Sequence, residues 1–208
     1  MGLFDQLLNR AGQMAKTTAD QAARNAVNNA ANNAVNKASG RSSNKSEDIV
    51  FYALPETPDQ FRSLPQAAMS TPFMTAAMTV AALCVFPKNR EACYAMLDFL
   101  RGPRPLSGVD KQFIADRFMD GADYIPRSYF NGATPQNDYT PAQPYTVRVS
   151  ENPYSYQNEG YAKLFISSGG ADSPREILLR LAKDGKWYLW DQFLLVGIRK
   201  PESDNPWA

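Results

Sequence analysis

The chain has 208 residues, 44% of them apolar, and a formal net charge of +1. That is enough apolar material for one sizeable core, and the balance gives no global field to recruit nucleic acid. The absence of histidine excludes Ser-His-Asp and Cys-His catalysis and histidine-ligated metal sites.

Residues 1–46 carry Arg10, Lys16, Arg24, Lys37, Arg41 and Lys45 against Asp5 and Asp20, a charge of +4 that leaves −3 for the rest. Leu3, Phe4, Leu7, Leu8, Ala11, Met14 and Ala15 fall at helical spacing and form one apolar stripe. Small apolar pairs then recur every four residues through AARNAVNNAANNAVNKASG. A four-residue repeat overshoots the helical period, so the stripe drifts around the helix. The spacing predicts a helix from about Leu3 into the thirties, followed by the linker RSSNKSED. This arm suits self-association or a protein partner through its small side chains, or loose docking on its own domain. Its polar face (Asp5, Gln6, Asn9, Arg10, Gln13, Lys16) is too neutral for a membrane-surface helix. Gln6 also stands where an N-myristoylation start needs Ser or Thr. No apolar run reaches the ~18 residues of a membrane span, and the opening residues lack the pattern of a signal peptide.

The compact domain is expected over residues 47–208, opening with a short strand at Ile49–Tyr52. Asp59–Leu64 reads as one helical turn. Thr71-Pro72 reads as an N-cap followed by proline at the first helical position. The run FMTAAMTVAALCVF, with only Thr75, Thr79 and Cys84 to interrupt it, predicts a helix buried all round and stopped by Pro87. Asn89 caps the next helix, with Cys93, Met96, Leu97 and Leu100 on one face and Gly102-Pro103 at its end. Cys84 and Cys93 have neither CxxC spacing nor further soft ligands, so structural thiols in a reducing compartment are expected. Ser107 and Asp110 form a capping box for a third helix carrying Phe113, Ile114, Phe118 and Met119. Asp116, Asp120 and Asp123 cluster in sequence, but on a solvated face and without a calcium-loop pattern.

Asp123–Tyr145 is a long loop with four prolines (126, 135, 141, 144) and five aromatic rings (124, 129, 130, 139, 145). Rings are depleted from disordered segments, so the loop is expected to be ordered against the sheet. Strands follow at Thr146–Val149 and at Ala162, Leu164 and Ile166. SSGGADSPR is glycine-rich and ends in Arg175, so it is either a tight β-connection or an anion cradle. LLRLAKDGKWYLW then reads as a hairpin around Asp184-Gly185. A two-residue turn would pair Lys183 with Lys186. A bulged turn would pair Ala182 with Lys186 and put Ile177, Leu179, Leu181, Trp187 and Leu189 on one face, so the bulged register is preferred. Phe193–Ile198 would be a last strand or a continuation past a bulge.

The blocks YIPRSYFNGATPQNDYTP, NPYSY, SSGGADSPR, GKWYLW, GIRKP and NPWA resemble a family of bacterial proteins carrying a domain of unknown function, over about Val50–Ala208. The resemblance implies a bacterial, cytoplasmic protein and brings no activity, ligand or catalytic residue.

The fold expected is α+β: about three helices from the first half packed on one face of an antiparallel β-meander, with the N-terminal helical arm. Helices before a curved meander also resemble nuclear-transport-factor-like or cystatin-like cones by analogy of fold. The function expected is non-catalytic binding or assembly. The alternative is a histidine-free enzyme with a carboxylate-tyrosine pocket near the aromatic loop. No cofactor, metal, catalytic residue or nucleic-acid signature is expected. The candidate ligand-binding residues are Tyr129, Asn131, Tyr139 and Arg175, which would converge if the aromatic loop and SSGGADSPR share one end of the sheet.

Overall fold

The structure, a computed structural model, describes residues 44–204. The N-terminal arm, which the sequence reads as a helix, and the terminal NPWA lie outside the described residues. Among these residues the chain is α+β, with five α-helices and one five-stranded antiparallel sheet. The strands are β1 (Ser46–Phe51), β2 (Tyr145–Ser150), β3 (Tyr161–Ile166), β4 (Arg175–Leu181) and β5 (Trp187–Gln192), in that order across the sheet. The helices α1 (Pro58–Ser63), α2 (Pro72–Leu83), α3 (Arg90–Arg101), α4 (Gly108–Arg117) and α5 (Tyr124–Arg127) all fall between β1 and β2. The sheet is therefore not built from the second half alone. β1 pairs with β2 along its whole length, from Ser46 against Ser150 to Phe51 against Tyr145.

Helix α2 is the centre of the core. Its first helical residue is Pro72, and the Thr71 hydroxyl accepts from the Met74 amide. Of its twelve residues only Met74 escapes full burial, and it touches all five strands. A helix this apolar has no face for water, so it must be covered on every side. The sheet covers one side with Ile49, Phe51, Val147, Val149, Ala162, Leu164, Ile166, Ile177, Leu179 and Leu189. Helix α3 covers another with Cys93, Met96, Leu97 and Leu100. The two buried hydroxyls are satisfied: Thr75 donates to the Trp187 carbonyl at 2.6 Å, and Thr79 to the Thr75 carbonyl at 2.9 Å.

The β4–β5 turn has the bulged register. The Ala182 amide donates to the Lys186 carbonyl, Leu181 lies opposite Trp187, and Gly185 takes φ +80°. A second irregularity follows, where Leu179 faces Leu189 but Leu178 faces Asp191, leaving Trp190 as the extra residue. β5 ends at Gln192, so Phe193–Ile198 is not a strand. Instead Leu194 and Leu195 turn into the core, and Gly197 takes φ +68°. The free edge of β5 is covered by side chains and loops: the Trp187 amide donates to the Met69 carbonyl, and Arg104 Nη1 donates to the Trp190 carbonyl. Such cover blocks edge-to-edge pairing.

β2 and β3 pair only at Val149–Ile166 and Ser150–Phe165. Beyond that point the two strands part, and the aromatic loop enters the gap. Phe130 bridges to Val147, the Asn131 amide donates to the Thr146 carbonyl, and the Gly169 amide donates to the Ser128 carbonyl. Tyr124, Tyr129, Phe130, Ala133 and Tyr139 are all buried. The loop is thus a wedge completing the sheet, which explains why it needs both rings to bury and prolines to limit the entropy lost on ordering.

Both cysteines sit inside the core region and neither is in a disulfide. Burial pushes the Cys84 thiol up to about 12 and raises that of Cys93 as well. The thiolate is the reactive form. Iodoacetamide at pH 8 is therefore expected to label neither thiol in the folded protein and both after unfolding. Mass spectrometry would read this directly, and rapid native labelling would contradict it.

Candidate functional site

The aromatic loop, the glycine-rich connection and the chain after β5 do meet at one end of the sheet. The Tyr129 hydroxyl donates to the Leu194 carbonyl at 2.5 Å, and the Tyr139 hydroxyl to the Arg199 carbonyl at 2.7 Å. Arg175 donates from Nε to the Val196 carbonyl (3.0 Å), from Nη2 to Gly197 (2.6 Å) and from Nη1 to Ser173 (3.0 Å). Three of the four residues singled out from the sequence therefore converge on one short segment, residues 194–199. They hold main chain there. Burial raises the pKa of both tyrosines and outweighs the opposing charges of Arg175 on Tyr129 and Arg199 on Tyr139, so the hydroxyls remain donors. Asn131 is elsewhere: it is exposed, and its main chain links Thr146 and Ala142.

The glycine-rich connection has its amides engaged too. Gly169 donates to the Ser128 carbonyl and Gly170 to Ser168 Oγ. This is the tight β-connection rather than an anion cradle. The three aspartates are dispersed: Asp116 accepts from Gln112, Asp123 pairs with Arg127, and Asp120 occupies a left-handed turn position at φ 58°. Among the described residues no group of three or more acidic or cysteine side chains could hold a metal. A carboxylate and a tyrosine meet on the β2–β3 connection, where the Tyr156 hydroxyl donates to Glu151 Oε2 at 2.8 Å. Burial, reinforced by Glu151, raises the Tyr156 pKa, so the phenol there is a hydrogen-bond donor.

A different site stands out, between α3, α4 and β5. It is a cleft of about 50 Å³ walled by Leu83, Leu97, Leu106, Phe113, Ile114 and Leu189. Its polar groups are Arg101, Asp110, Asp191 and Gln192. Arg101, in the last turn of α3, is only 6% exposed. Its Nε donates to the Arg104 carbonyl at 3.0 Å. Its Nη2 lies 3.6 Å from Asp110 Oδ2, an ion-pair distance beyond hydrogen-bond range. Asp110 Oδ2 is already held by Ser107, accepting from its amide and its hydroxyl at 2.8 Å each. Among the described residues no hydrogen bond reaches Arg101 Nη1 or Nη2. A guanidinium has five N–H donors in a fixed fork, and here one is bonded.

The capping box that occupies Asp110 also sets its acidity. Burial would raise its pKa, but hydrogen bonds from Ser107 and the charges of Arg101 and Arg104 outweigh burial and hold it below the usual 3.8. A depressed folded pKa contributes stability above the unfolded value, and the contribution is lost as pH falls through the folded one. Asp110→Asn is therefore expected to destabilise the protein at neutral pH, with the difference from the parent closing at acid pH. A constant difference across a pH series of urea melts would contradict this.

The rim of the cleft is α4. Ile114 is the only residue of this helix that is buried. Val109 is 80% exposed, and Phe113, one turn on and on the same face, is 38% exposed. Met119, just past the helix, is 61% exposed. The sequence assigns Phe113, Ile114, Phe118 and Met119 to one helix without showing which of them is buried. The capping box made the helix legible, but its spacing did not show that only Ile114 reaches α2 and α3. Phe118 does pack inward, stacked on Phe86 with ring centroids 4.3 Å apart. Arg101 had no signal in the sequence beyond being a cation near a helix C-terminus, where it fits the dipole.

Residues 53–202 match a domain of unknown function, DUF6935. The chain belongs to this family. No curated protein and no solved structure matches it. The DUF6935 match runs from just after β1 to just past the Arg175-clamped segment, so it includes both the tyrosine clasp and the Arg101 cleft. Among the described residues, no helix is long and apolar enough to cross a membrane.

Proposed function

We propose that this DUF6935 chain is a non-catalytic protein-binding module of the bacterial cytoplasm, and that it binds at the face made by α4 and the cleft beside it. One observation carries the reading: a cleft of about 50 Å³ opens beside the apolar rim of Val109 and Phe113. Small-molecule sites run to ~300–1,000 Å³, whereas this volume takes the end of one side chain. An apolar rim around a side-chain-sized hole is the arrangement of an interface anchor pocket. The two free thiols, Cys93 buried and Cys84 half-buried, accord with a reducing compartment.

Peptides selected by display on the full chain test this. The expected winners shift the amide resonances of Val109, Phe113, Ile114, Leu189 and Gln192. Winners that map to another surface, or an absence of winners, would count against the reading.

A further inference from the structure

The cleft has a chemical preference as well as a shape. We infer that it receives a carboxylate side chain, Asp or Glu, presented by an acidic-apolar segment of the protein partner, with Arg101 as its anchor. The inference rests on the proposed protein-binding face and specifies what that face selects.

Arg101 is 6% exposed and lines the cleft, yet only its Nε is hydrogen-bonded. The guanidinium therefore keeps spare N–H donors on the wall of the cleft, open to a ligand that enters it. Asp110 balances part of the charge from 3.6 Å but takes no hydrogen bond from Arg101, because the oxygen facing it serves the Ser107 cap. The other inner polar group points the same way. Gln192 Oε1 accepts from the Leu194 amide at 2.8 Å, which leaves the Gln192 side-chain NH₂ as the free end. Both unengaged groups, the Arg101 Nη atoms and Gln192 Nε2, are donors. The group that satisfies a planar fork of donors is an oxyanion, and a carboxylate does so in bidentate fashion.

Two acidic groups line the same cleft. Asp110 is tied to its cap, and Asp191 is exposed, with Oδ1 accepting from the Gln192 amide. Asp191 is therefore screened by water, whereas Arg101 sits deeper and presents its spare donors to whatever enters the cleft. The size agrees. About 50 Å³ accommodates a carboxylate on a methylene stem and little more, so the rest of the ligand must lie outside. What it meets there is Val109 and Phe113, which favour an apolar neighbour to the acid.

The test compares each peptide selected on the full chain with a version carrying Gln for Glu, or Asn for Asp, by isothermal titration. The neutral peptide is expected to bind the parent about tenfold or more weakly. On Arg101→Gln that difference should vanish while the residual affinity stays. The peptide-side change leaves the protein untouched, so the inference stays falsifiable if Arg101→Gln fails to fold. Peptides that bind at α4 with no preference for the acid would overturn the inference and leave the protein-binding reading standing. An acid preference that persists in Arg101→Gln would overturn it as well. Peptides that never map to α4 would remove both.

Discussion

Gly169→Ala is expected to destabilise the protein by about 2–3 kcal/mol, the range for an overpacked site whose neighbour cannot move. A Cβ on Gly169 would overlap the Ala133 carbonyl oxygen, which is main chain and belongs to the wedge between β2 and β3. Gly170→Ala should behave similarly, since its Cβ would meet the Tyr139 hydroxyl and lie 2.7 Å from Ile198. Gly108 supplies the control. It is the first residue of α4 and nothing lies within 4 Å of an added Cβ, so Gly108→Ala should be neutral or slightly stabilising. Urea melts of the three variants decide the matter. If Gly169→Ala and Gly108→Ala were equally mild, the loop would not be wedged against the connection.

Tyr139→Ala carries the second large effect, a loss of about 3–5 kcal/mol, as for other large aromatic deletions in a core. Tyr139 is 0% exposed, stacks on Tyr124 with centroids 5.3 Å apart, and ties the Arg199 carbonyl down through its hydroxyl. Tyr139→Phe keeps the ring and removes only the hydrogen bond, so it should cost about 1–2 kcal/mol. The pair separates a clasp from a ligand site. A ligand-binding tyrosine would be tolerant of truncation in a denaturation experiment, whereas a closing residue is not.

Local patterns carried most of the fold into view. The apolar run after Thr71-Pro72 admits no reading but a covered helix, and both helix caps, Asn89 and Ser107, engage the amides their positions imply. The register of the β4–β5 turn followed from which face each apolar residue would occupy. Pairings distant in sequence were less accessible. β1 joins β2 across the whole helical half, and no periodicity in either strand names the other as its partner. The parting of β2 from β3 had a trace, an aromatic loop with too many rings for solvent, but the gap that receives it is a tertiary fact.

The candidate site divides in the same way. Tyr129, Tyr139 and Arg175 lie at one end of the sheet as donors to main chain, and the sequence could not show that residues 194–199 would turn inward and take them up. Phe193–Ile198 reads as strand by composition. It leaves the sheet only after Phe193, whose amide still donates to the Glu176 carbonyl, and Leu194 and Leu195 then enter the core. Arg101 was illegible for the opposite reason. An arginine in a last helical turn is ordinary, and its burial depends on α4 and β5 closing over it.

One titration bears on the central claim most directly: backbone and side-chain chemical shifts of the full chain, followed as a selected acidic peptide is added. The account predicts that Val109, Phe113, Leu189, Gln192 and the Arg101 Nε–H move together with a single affinity, while Tyr129, Tyr139 and Arg175 stay still. Shifts centred on Tyr129, Tyr139 and Arg175, with Arg101 unmoved, would contradict it.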